Sequence, residues 1–344
     1  MPPNNPPPAS DLYIKHGLGL ESKVTRVSAG TGNVTALGQG NWRQFTVDGA
    51  GNLFVATDHD LLKIPAAGGS ATKVGDVGFF LEALAADWAG NVYVADYDFD
   101  TGGRVVKIPA DGTPPGAVWT GASPPWAIAV DGHQDLYVYL PPPPTVVKVR
   151  HVGGSTSVVT QLPNTAEFWV ASAVAVDPQG NNVYLGSATI QPDQTVQYSL
   201  IRQPTGGGPA TSLAIDPTGS AELAADAAGF VYAVDWVNER VVMIDSNSGQ
   251  QTTVMEVANP QAVAVRPVRA RPRFTLPDLV GKLFGAAAAD GDGWLLIGDH
   301  FVPIPPRSPE LAALLQVAVR NRGRAVRNPE LAEQVRNGSA PERE

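Results

Sequence analysis

Residues 84–96 of this chain read LAADWAGNVYVAD, and residues 104–108 read RVVKI. Short apolar runs alternate here with Asp, Gly and Asn, a pattern typical of strand, tight turn and strand rather than of helix. Similar copies recur along the chain, each anchored on an aspartate that ends the first apolar run. The anchors are Asp48, Asp87, Asp131, Asp177 and Asp226, and their spacings are 39, 44, 46 and 49 residues. This is the length of a four-stranded propeller blade, so the repeat predicts an all-β propeller.

The two ends of the repeat array each hold part of a blade. Residues 260–265 read PQAVAV, a first strand with no blade after it. Residues 11–37 supply a second, a third and a fourth strand with no first strand before them. Joined, the two parts make one composite blade and cover edges that would otherwise stay open to aggregation. The sequence therefore predicts six blades over residues 11–266, of which one is composite.

The recurring phrase resembles the NHL repeat, which is known from tripartite-motif proteins and from the sensor domains of actinobacterial Ser/Thr kinases. The similarity rests on PWAIAVD at residues 125–131, GNVYVAD at residues 90–96 and RVVKI at residues 104–108. Around Asp177 the copy departs from the pattern, because Gly186 stands where other copies have Ala-Asp. The resemblance implies a propeller fold and does not specify one function, since propellers carry many unrelated activities.

The segments outside the repeat are predicted to be separate parts. Residues 1–10, rich in proline, are expected to be a disordered leader. Residues 267–344 are expected to form a small α+β extension with one short helix over residues 277–284, a β-hairpin over residues 294–304 and two further helices. Those last two helices begin at Ser308 and Asn328, each a polar cap followed by Pro-Glu. The extension is expected either to cover one end of the propeller or to dock onto a partner.

Composition excludes several classes of site. The 344 residues include no cysteine, so the chain has no disulfide, thiolate metal site or cysteine nucleophile. No apolar run approaches the ~20 residues of a membrane helix, and no membrane partner is predicted. The start of the chain lacks the basic and apolar regions of a signal peptide, so the sequence as given is expected to be cytoplasmic.

Charge is distributed unevenly along the chain. Residues 266–344 hold 12 Lys and Arg and 9 Asp and Glu. Of the totals of 24 and 33, residues 1–265 therefore keep 12 basic and 24 acidic residues, a net charge of −12. An acidic propeller repels a phosphate backbone, so no nucleic acid is expected to bind. Its field favours cations, basic peptides or neutral ligands.

A ligand site is predicted on the propeller face where the loops into each first strand and out of each second strand converge. The position five residues before each anchor is chemically mixed, while its neighbours are repetitive. Its residues are Arg43, Glu82, Trp126, Ser172, Ala221 and, in the composite blade, Gln261. This variety predicts that the position lines a pocket. The alternative is an exposed loop position whose sequence varies because it binds no ligand. The predicted sides of the pocket are Trp42, His59, Asp98 and Trp236, although propeller tryptophans also pack between blades.

The aspartates are predicted to be mainly structural. Asp96 and Asp235 follow second strands, where converging carboxylates could hold Ca²⁺ or Mg²⁺. Aspartate is also a favoured turn residue, and identical residues in every blade rarely share one asymmetric reaction. No cofactor is therefore predicted. Ca²⁺ or Mg²⁺ is expected only if the protein is an enzyme.

Two functional classes fit these observations. The favoured one is a binding module that presents a loop-face pocket to a peptide, protein or small molecule. The alternative is an enzyme of the lactonase, strictosidine-synthase or streptogramin-lyase type with a divalent metal on the axis, for which Glu82 is a candidate carboxylate. The Glu-Gly-Pro motif of the lactonase-like propellers is absent from the sequence, and so is an equivalent of the lyases' catalytic histidine. His59 is the best lone acid–base candidate, and no catalytic residue is assigned.

Overall fold

The computed structural model describes residues 7–77, 80–140, 143–161, 168–169, 173–190, 196–213, 222–270, 293–297 and 300–304. The chain separates into two compact units, Met1–Arg271 and Pro272–Glu344. The strands of the first unit form six sheets, which are the blades of a propeller. No helix in the described part of the chain is long and apolar enough to cross a bilayer.

Five blades are continuous in sequence, and each runs from its innermost to its outermost strand. Blade 1 holds β4 (Gln44–Val47), β5 (Leu53–Ala56), β6 (Asp60–Ile64) and β7 (Thr72–Asp76). Blade 2 holds β8 (Leu81–Ala86), β9 (Val92–Asp98), β10 (Gly102–Ile108) and β11 (Gly116–Gly121). Blade 3 holds β12 (Ala127–Val130), β13 (Leu136–Leu140), β14 (Thr145–Val149) and β15 (Thr156–Gln161).

The remaining continuous blades follow the same order. In blade 4, β16 (Phe168–Trp169) and β17 (Val174–Val176) both pair with β18 (Asn182–Ile190), followed by β19 (Val196–Pro204) and β20 (Thr211–Leu213). Blade 5 holds β21 (Leu223–Ala225), β22 (Phe230–Asp235), β23 (Arg240–Asp245) and β24 (Gln251–Glu256).

The sixth blade is composite, as the sequence predicts. Its strand order is β25 (Pro260–Val265), β1 (Leu12–His16), β2 (Lys23–Val27) and β3 (Val34–Gln39). Leu12 pairs with Val265, and Ile14 pairs with Val263. Leu12 and Ile14 are fully buried in a cluster that also contains Tyr232 of blade 5. The two ends of the array therefore close the ring through both hydrogen bonds and apolar packing, and the prediction of six blades is confirmed.

The apolar core lies between the blades. Six clusters of buried side chains each join two neighbouring blades, so every interface around the ring has its own core. Between blades 2 and 3, for example, Tyr93 and Val105 pack with Ile128 and Val138. The apolar residues of the repeat phrase alternate along strands that face neighbours on both sides, which explains why the phrase is so uniform.

The turns between first and second strands form one face of the ring, which we call the turn face; the opposite face is the loop face. At Asp87, Oδ1 accepts the backbone N–H groups of Ala89 and Asn91, both at 2.9 Å, and Oδ2 accepts the Asn91 amide at 2.7 Å. The same residue-to-turn pattern occurs at Asp48, Asp131 and Asp226. The anchor aspartates are thus structural, as the sequence analysis predicts.

The turns of blades 3 and 4 also rest on the preceding blade. Gln134 of blade 3 donates its amide to Oδ2 of Asp87 in blade 2 at 2.6 Å. Gly180 of blade 4 has a φ of +63°, and a Cβ at this position would overlap the Asp131 carboxylate of blade 3. The Asp87 carboxylate therefore holds its own turn and the turn of blade 3, and the turn of blade 4 packs closely on the Asp131 carboxylate. We call this set of contacts the turn relay.

The N-terminal segment completes the relay where the composite blade lacks a turn. The backbone N–H of Ala9 donates to the Tyr232 hydroxyl at 3.2 Å, and that hydroxyl donates to Asp226 at 3.1 Å. Pro8 is buried, and its carbonyl accepts the N–H of Gly30 at 3.0 Å. Although the sequence predicts a disordered leader through residue 10, residues 8–10 thus lie against the ring. Residues 1–6 are outside the described part.

The second unit contains a β-hairpin at the predicted place. β26 (Gly293–Ile297) pairs with β27 (His300–Ile304) in an antiparallel register, with two residues between the strands. The predicted helices at residues 277–284 and after Ser308 and Asn328 lie outside the described residues. Residues 267–270 belong to the first unit, so the boundary falls a few residues later than the predicted residue 267.

The composite blade gives a direct test of ring closure. Leu12→Ala should lower the free energy of unfolding by about 2–5 kcal/mol, because it removes buried methyl groups from the interface with blade 5. Leu20→Ala is the matched control, since Leu20 is 75% exposed in the same segment and its truncation should change stability by less than about 0.5 kcal/mol. Chemical denaturation of both variants measures the difference. Equal, small losses would contradict closure by these strands.

Candidate functional site

A cavity of about 170 Å³ lies on the ring axis, enclosed by the six innermost strands. Residues beyond the ends of these strands line it at the turn face, among them Gly132 and Pro178. Residues at or just before the strand starts line it at the loop face, namely Gln44, Glu82, Trp126 and Glu222. The cavity is thus polar and aromatic at the loop-face end, and small side chains such as Ala85 and Ala129 line its middle.

Residues 267–270 lie across the turn-face end of this cavity. The N–H of Ala270 and the indole N–H of Trp88 both donate to the Gly132 carbonyl, at 2.9 Å and 3.0 Å. The Arg269 guanidinium lies 5.0 Å from the centre of the Trp88 ring, within the range of a cation–π contact. Pro267 and Val268 then complete the lining of the cavity at this end. The segment after the last propeller strand therefore covers the turn-face end.

Two of the predicted residues, Glu82 and Trp126, line the cavity, and the charge of a third, Arg43, affects the pKa of Glu82. Glu82 sits at a bulge in β8, where the register shifts between Leu81 and Ala83. Burial raises the pKa of Glu82, and the nearby positive charge of Arg43 lowers it. Trp126 lines the cavity and packs against the core between blades 3 and 4. Glu82 and Trp126 thus line the same cavity, and Arg43 lies close enough to Glu82 to affect its pKa.

The other predicted residues lie away from the cavity or outside the described chain. Gln261 is partly buried in β25 and is not part of the lining, and Ser172 lies outside the described residues. Trp42 is 8% exposed and belongs to the core between the composite blade and blade 1. Its ring lies over Gly38 and Gly40, whose lack of side chains leaves room for it. Trp42 therefore packs between blades instead of forming a pocket wall.

The predicted residues of the second-strand exits lie on exposed turns of the loop face. Asp98 accepts the N–H groups of Asp100 and Thr101 at 2.8 Å and 2.9 Å, and these hydrogen bonds lower its pKa. His59 is exposed, and its backbone carbonyl accepts the N–H of Val77. Trp236 is 53% exposed at the end of β22. Asp98 thus stabilises its own turn, whereas Trp236 is presented to solvent.

Sequence reasoning missed Glu222 and Lys15. Glu222 lines the cavity just before β21, and burial raises its pKa to about 7 against an opposing effect of Lys15. Lys15 is 6% exposed, and its Nζ donates to the Arg43 carbonyl at 3.1 Å. Burial lowers the pKa of Lys15, while Glu222 raises it. Counting four residues back from the anchors instead of five finds Glu222 and Gln44; no repeat position identifies Lys15, which lies in a second strand.

The bulkiest exposed apolar side chains lie on the loop face. Eleven large apolar residues are exposed in the described part of the chain, and every Leu, Phe and Trp among them lies in a loop-face turn. We call the loop-face set the apolar rim: Leu18, Leu20, Phe80, Phe99, Trp236 and Val237. The Phe80 and Phe99 rings meet edge to face with centroids 5.2 Å apart. The other five exposed large apolar residues of the described chain are all valines.

The carboxylates at the second-strand exits are held by arginines. The Asp96 carboxylate accepts a hydrogen bond from Nε of Arg104 at 2.7 Å, and the Asp235 carboxylate accepts one from Nε of Arg240 at 2.7 Å. These ion pairs link second and third strands, so the structural interpretation of both aspartates is confirmed. Within the described ranges, no group of three His, Cys, Asp or Glu side chains is arranged to hold a metal ion.

No protein-family model and no curated protein matches the chain. Among solved structures, it is similar to a chain in the crystal structure of a nidogen/laminin complex, with a TM-score of 0.58, 14% identity, and coverage of 76% of this chain and 100% of that one. TolB from Acinetobacter baumannii gives a TM-score of 0.60 at 8% identity over 75% of this chain and 67% of that one. A putative TolB from Agrobacterium tumefaciens gives 0.53 at 14% identity over 74% and 92%. The likeness is one of fold: the chain is a six-bladed β-propeller.

The pKa of Glu222 generates a prediction about stability. Its carboxyl has a pKa of about 7 in the folded protein and an ordinary value of 4.5 when exposed. Between these two pH values the folded state holds a proton that the unfolded chain has released, so stability falls as the pH rises. Glu222→Gln removes the ionisable carboxyl and therefore removes this loss of stability at high pH. Its stabilising effect should be larger by about 1–2 kcal/mol at pH 8 than at pH 5, less than the full shift implies because Glu222 is partly solvated.

Chemical denaturation of both proteins at the two pH values measures this effect. Glu239→Gln is the control, because Glu239 is exposed on the same face and does not line the cavity. The control should show no comparable pH dependence. An identical change in stability at pH 5 and pH 8 for Glu222→Gln would show that burial does not raise this pKa.

Proposed function

We propose that this protein is a binding module that presents its loop face to a protein partner. The apolar rim is the observation that carries the proposal. Exposed bulky apolar groups surrounded by polar residues are typical of interaction sites, and Trp and Phe give large contact areas at low entropic cost. The concentration of these side chains on one face, with valines elsewhere, favours that face over the sides of the ring.

The ring is well suited to hold such a surface rigid. The turn relay and the six inter-blade cores fix the strands that end at the loop face. Loops on a rigid scaffold can vary in sequence without loss of the fold, which is why binding residues often lie there. The nidogen/laminin structure, which the chain resembles in fold, is itself a complex.

A protein or peptide fits the site better than a drug-sized ligand. The axial cavity has a volume of about 170 Å³, whereas pockets for such ligands usually have about 300–1,000 Å³. A single inserted side chain matches the smaller volume. The net charge of −12 on residues 1–265 supports a basic or neutral partner and opposes nucleic acid.

We also infer that the blades are of the NHL type. Support comes from the way the residues of the phrase take the same positions in different blades. The anchor aspartate binds its turn, the second-strand aspartate pairs with the third-strand arginine, and the alternating Val and Tyr residues fill the inter-blade cores. This assignment concerns the repeat and adds nothing specific about the partner.

The proposal predicts where a partner makes contact. A photo-crosslinking residue placed at Phe99 or Trp236 should capture a partner in lysate of the source organism, whereas the same residue at Val152 or Val158 should not. The controls are exposed at 83% and 64% and lie away from the loop face. The captured protein is then purified and its affinity for the full chain is measured.

Loss of the rim residues should weaken that affinity. Phe99→Ser and Trp236→Ser should each raise the Kd about tenfold or more, as expected for aromatic contacts at the centre of an interface. Val158→Ser should leave it unchanged. Thermal denaturation checks that the variants remain folded. Crosslinks confined to positions 152 and 158, or an unchanged Kd in both rim variants, would contradict the proposal.

A further inference from the structure

Two carboxylates line the axial cavity and have no direct partner among the described residues. Glu82 and Glu222 both belong to the lining. Among the described residues, no hydrogen bond or ion pair within 4.0 Å involves either carboxylate group. Only their backbone carbonyls accept hydrogen bonds, from the amide of Gln44 and the N–H of Val234. A half-buried carboxylate without a partner loses hydration and gains nothing in exchange, so each is available to a ligand.

The two cations that affect the pKa values of these carboxylates do not line the cavity. Lys15 and Arg43 affect the pKa values of Glu222 and Glu82, but neither belongs to the lining. The Lys15 ammonium donates to the backbone carbonyl of Arg43, and the Arg43 side chain is exposed. The lining itself is therefore acidic, although the region around it is nearly balanced in charge.

The remaining lining residues at the loop-face end complement an organic cation. Trp126 offers an indole face, which attracts guanidinium and ammonium groups. Gln44 offers an amide, although that amide already donates to the Glu82 carbonyl. Carboxylates bind a guanidinium through two parallel hydrogen bonds, a geometry that a bare metal ion does not need. Within the described residues, no third acidic or imidazole side chain joins Glu82 and Glu222 to form a metal site.

The cavity volume limits the size of the ligand. At about 170 Å³ it is similar to an engineered protein cavity of about 150 Å³ that binds benzene. One long side chain fits this space and a folded element does not. The turn-face end is covered by Pro267 and Val268, so such a side chain would enter from the loop face.

We propose that the axial cavity binds an arginine side chain of the protein partner, with Glu82 and Glu222 contacting its guanidinium and Trp126 its planar face. This inference rests on the proposed function, because the apolar rim would form the contact that surrounds the inserted side chain and excludes water from it. The net charge of −12 on residues 1–265 would draw a basic segment towards this face.

The test uses the full chain and small probes in place of the partner. Binding of n-butylguanidinium is measured by saturation-transfer NMR, with n-butylurea as its neutral analogue and Ca²⁺ as a competitor. The guanidinium should bind saturably and at least tenfold more tightly than the urea. Glu82→Gln and Glu222→Gln should each weaken it at least fivefold. Glu239→Gln, on the same face and outside the lining, should leave it unchanged.

The pH dependence of n-butylguanidinium binding is a second, independent test. Burial sets the ionisation of Glu222, and the positive charge of Lys15 opposes it. As the pH rises from 6 to 8, Glu222 loses its proton and the guanidinium should bind more tightly. Glu82→Gln should keep this increase and Glu222→Gln should lose it, a difference that an indirect effect on folding would not produce.

Three results would overturn the inference. They are equal binding of guanidinium and urea, unchanged binding in both cavity variants, and stoichiometric Ca²⁺ that n-butylguanidinium does not displace. The rim variants Phe99→Ser and Trp236→Ser should not affect probe binding. If the full chain does not bind n-butylguanidinium while the rim variants still weaken partner binding, only the arginine site is overturned. If the probe binds as expected while the rim variants leave the partner's Kd unchanged, only the proposed function is overturned.

Discussion

The ring depends on the hydrogen bonds of the buried aspartates that follow four of its first strands, namely Asp48, Asp87, Asp131 and Asp226. Asp87 is 1% exposed, and an ionised carboxylate at this depth is stable only if donors replace its water. Its own turn supplies the N–H groups of Ala89 and Asn91, and the next blade supplies the amide of Gln134. One charge thus fixes the shape of a turn and the position of a neighbouring blade. Removing it would leave several donors unsatisfied at once.

This constraint makes the two faces of the propeller different. On the turn face, polar groups are used within the protein, and the uniform phrase follows from that use. On the loop face, the hydrogen bonds of the Asp98 turn are made within that turn, and Trp236 is exposed. The side chains at these positions can therefore differ from blade to blade. Equivalent positions of different blades therefore differ most on the loop face, where the cavity carboxylates and the apolar rim are found. The loop face is therefore the face for which we propose a binding site.

Much of the fold could be predicted from sequence because its determinants are local. The Asp-x-x-Gly-Asn turn and the alternating apolar runs identify each blade, and the unpaired strands at both ends identify the composite one. The site was harder to predict, because a cavity on the axis depends on the register of six separate strands. A bulge between Leu81 and Ala83 places Glu82, while Glu222 lies one residue closer to its anchor. The sequence places Trp42 in the pocket because nothing local shows that Gly38 and Gly40 leave space for its ring.

Hydrogen exchange of the full chain, followed residue by residue, tests the account most directly. The relay predicts that backbone amides in turns 48–52, 87–91 and 226–230 exchange nearly as slowly as the inner strands, because their hydrogen bonds end on buried carboxylates. The loop-face turns 57–60 and 98–101 should exchange much faster, since their hydrogen bonds end on exposed or only partly buried side chains of the same turn. Equal exchange rates on the two faces would contradict the claim that the aspartate relay makes one face rigid and leaves the other available for binding.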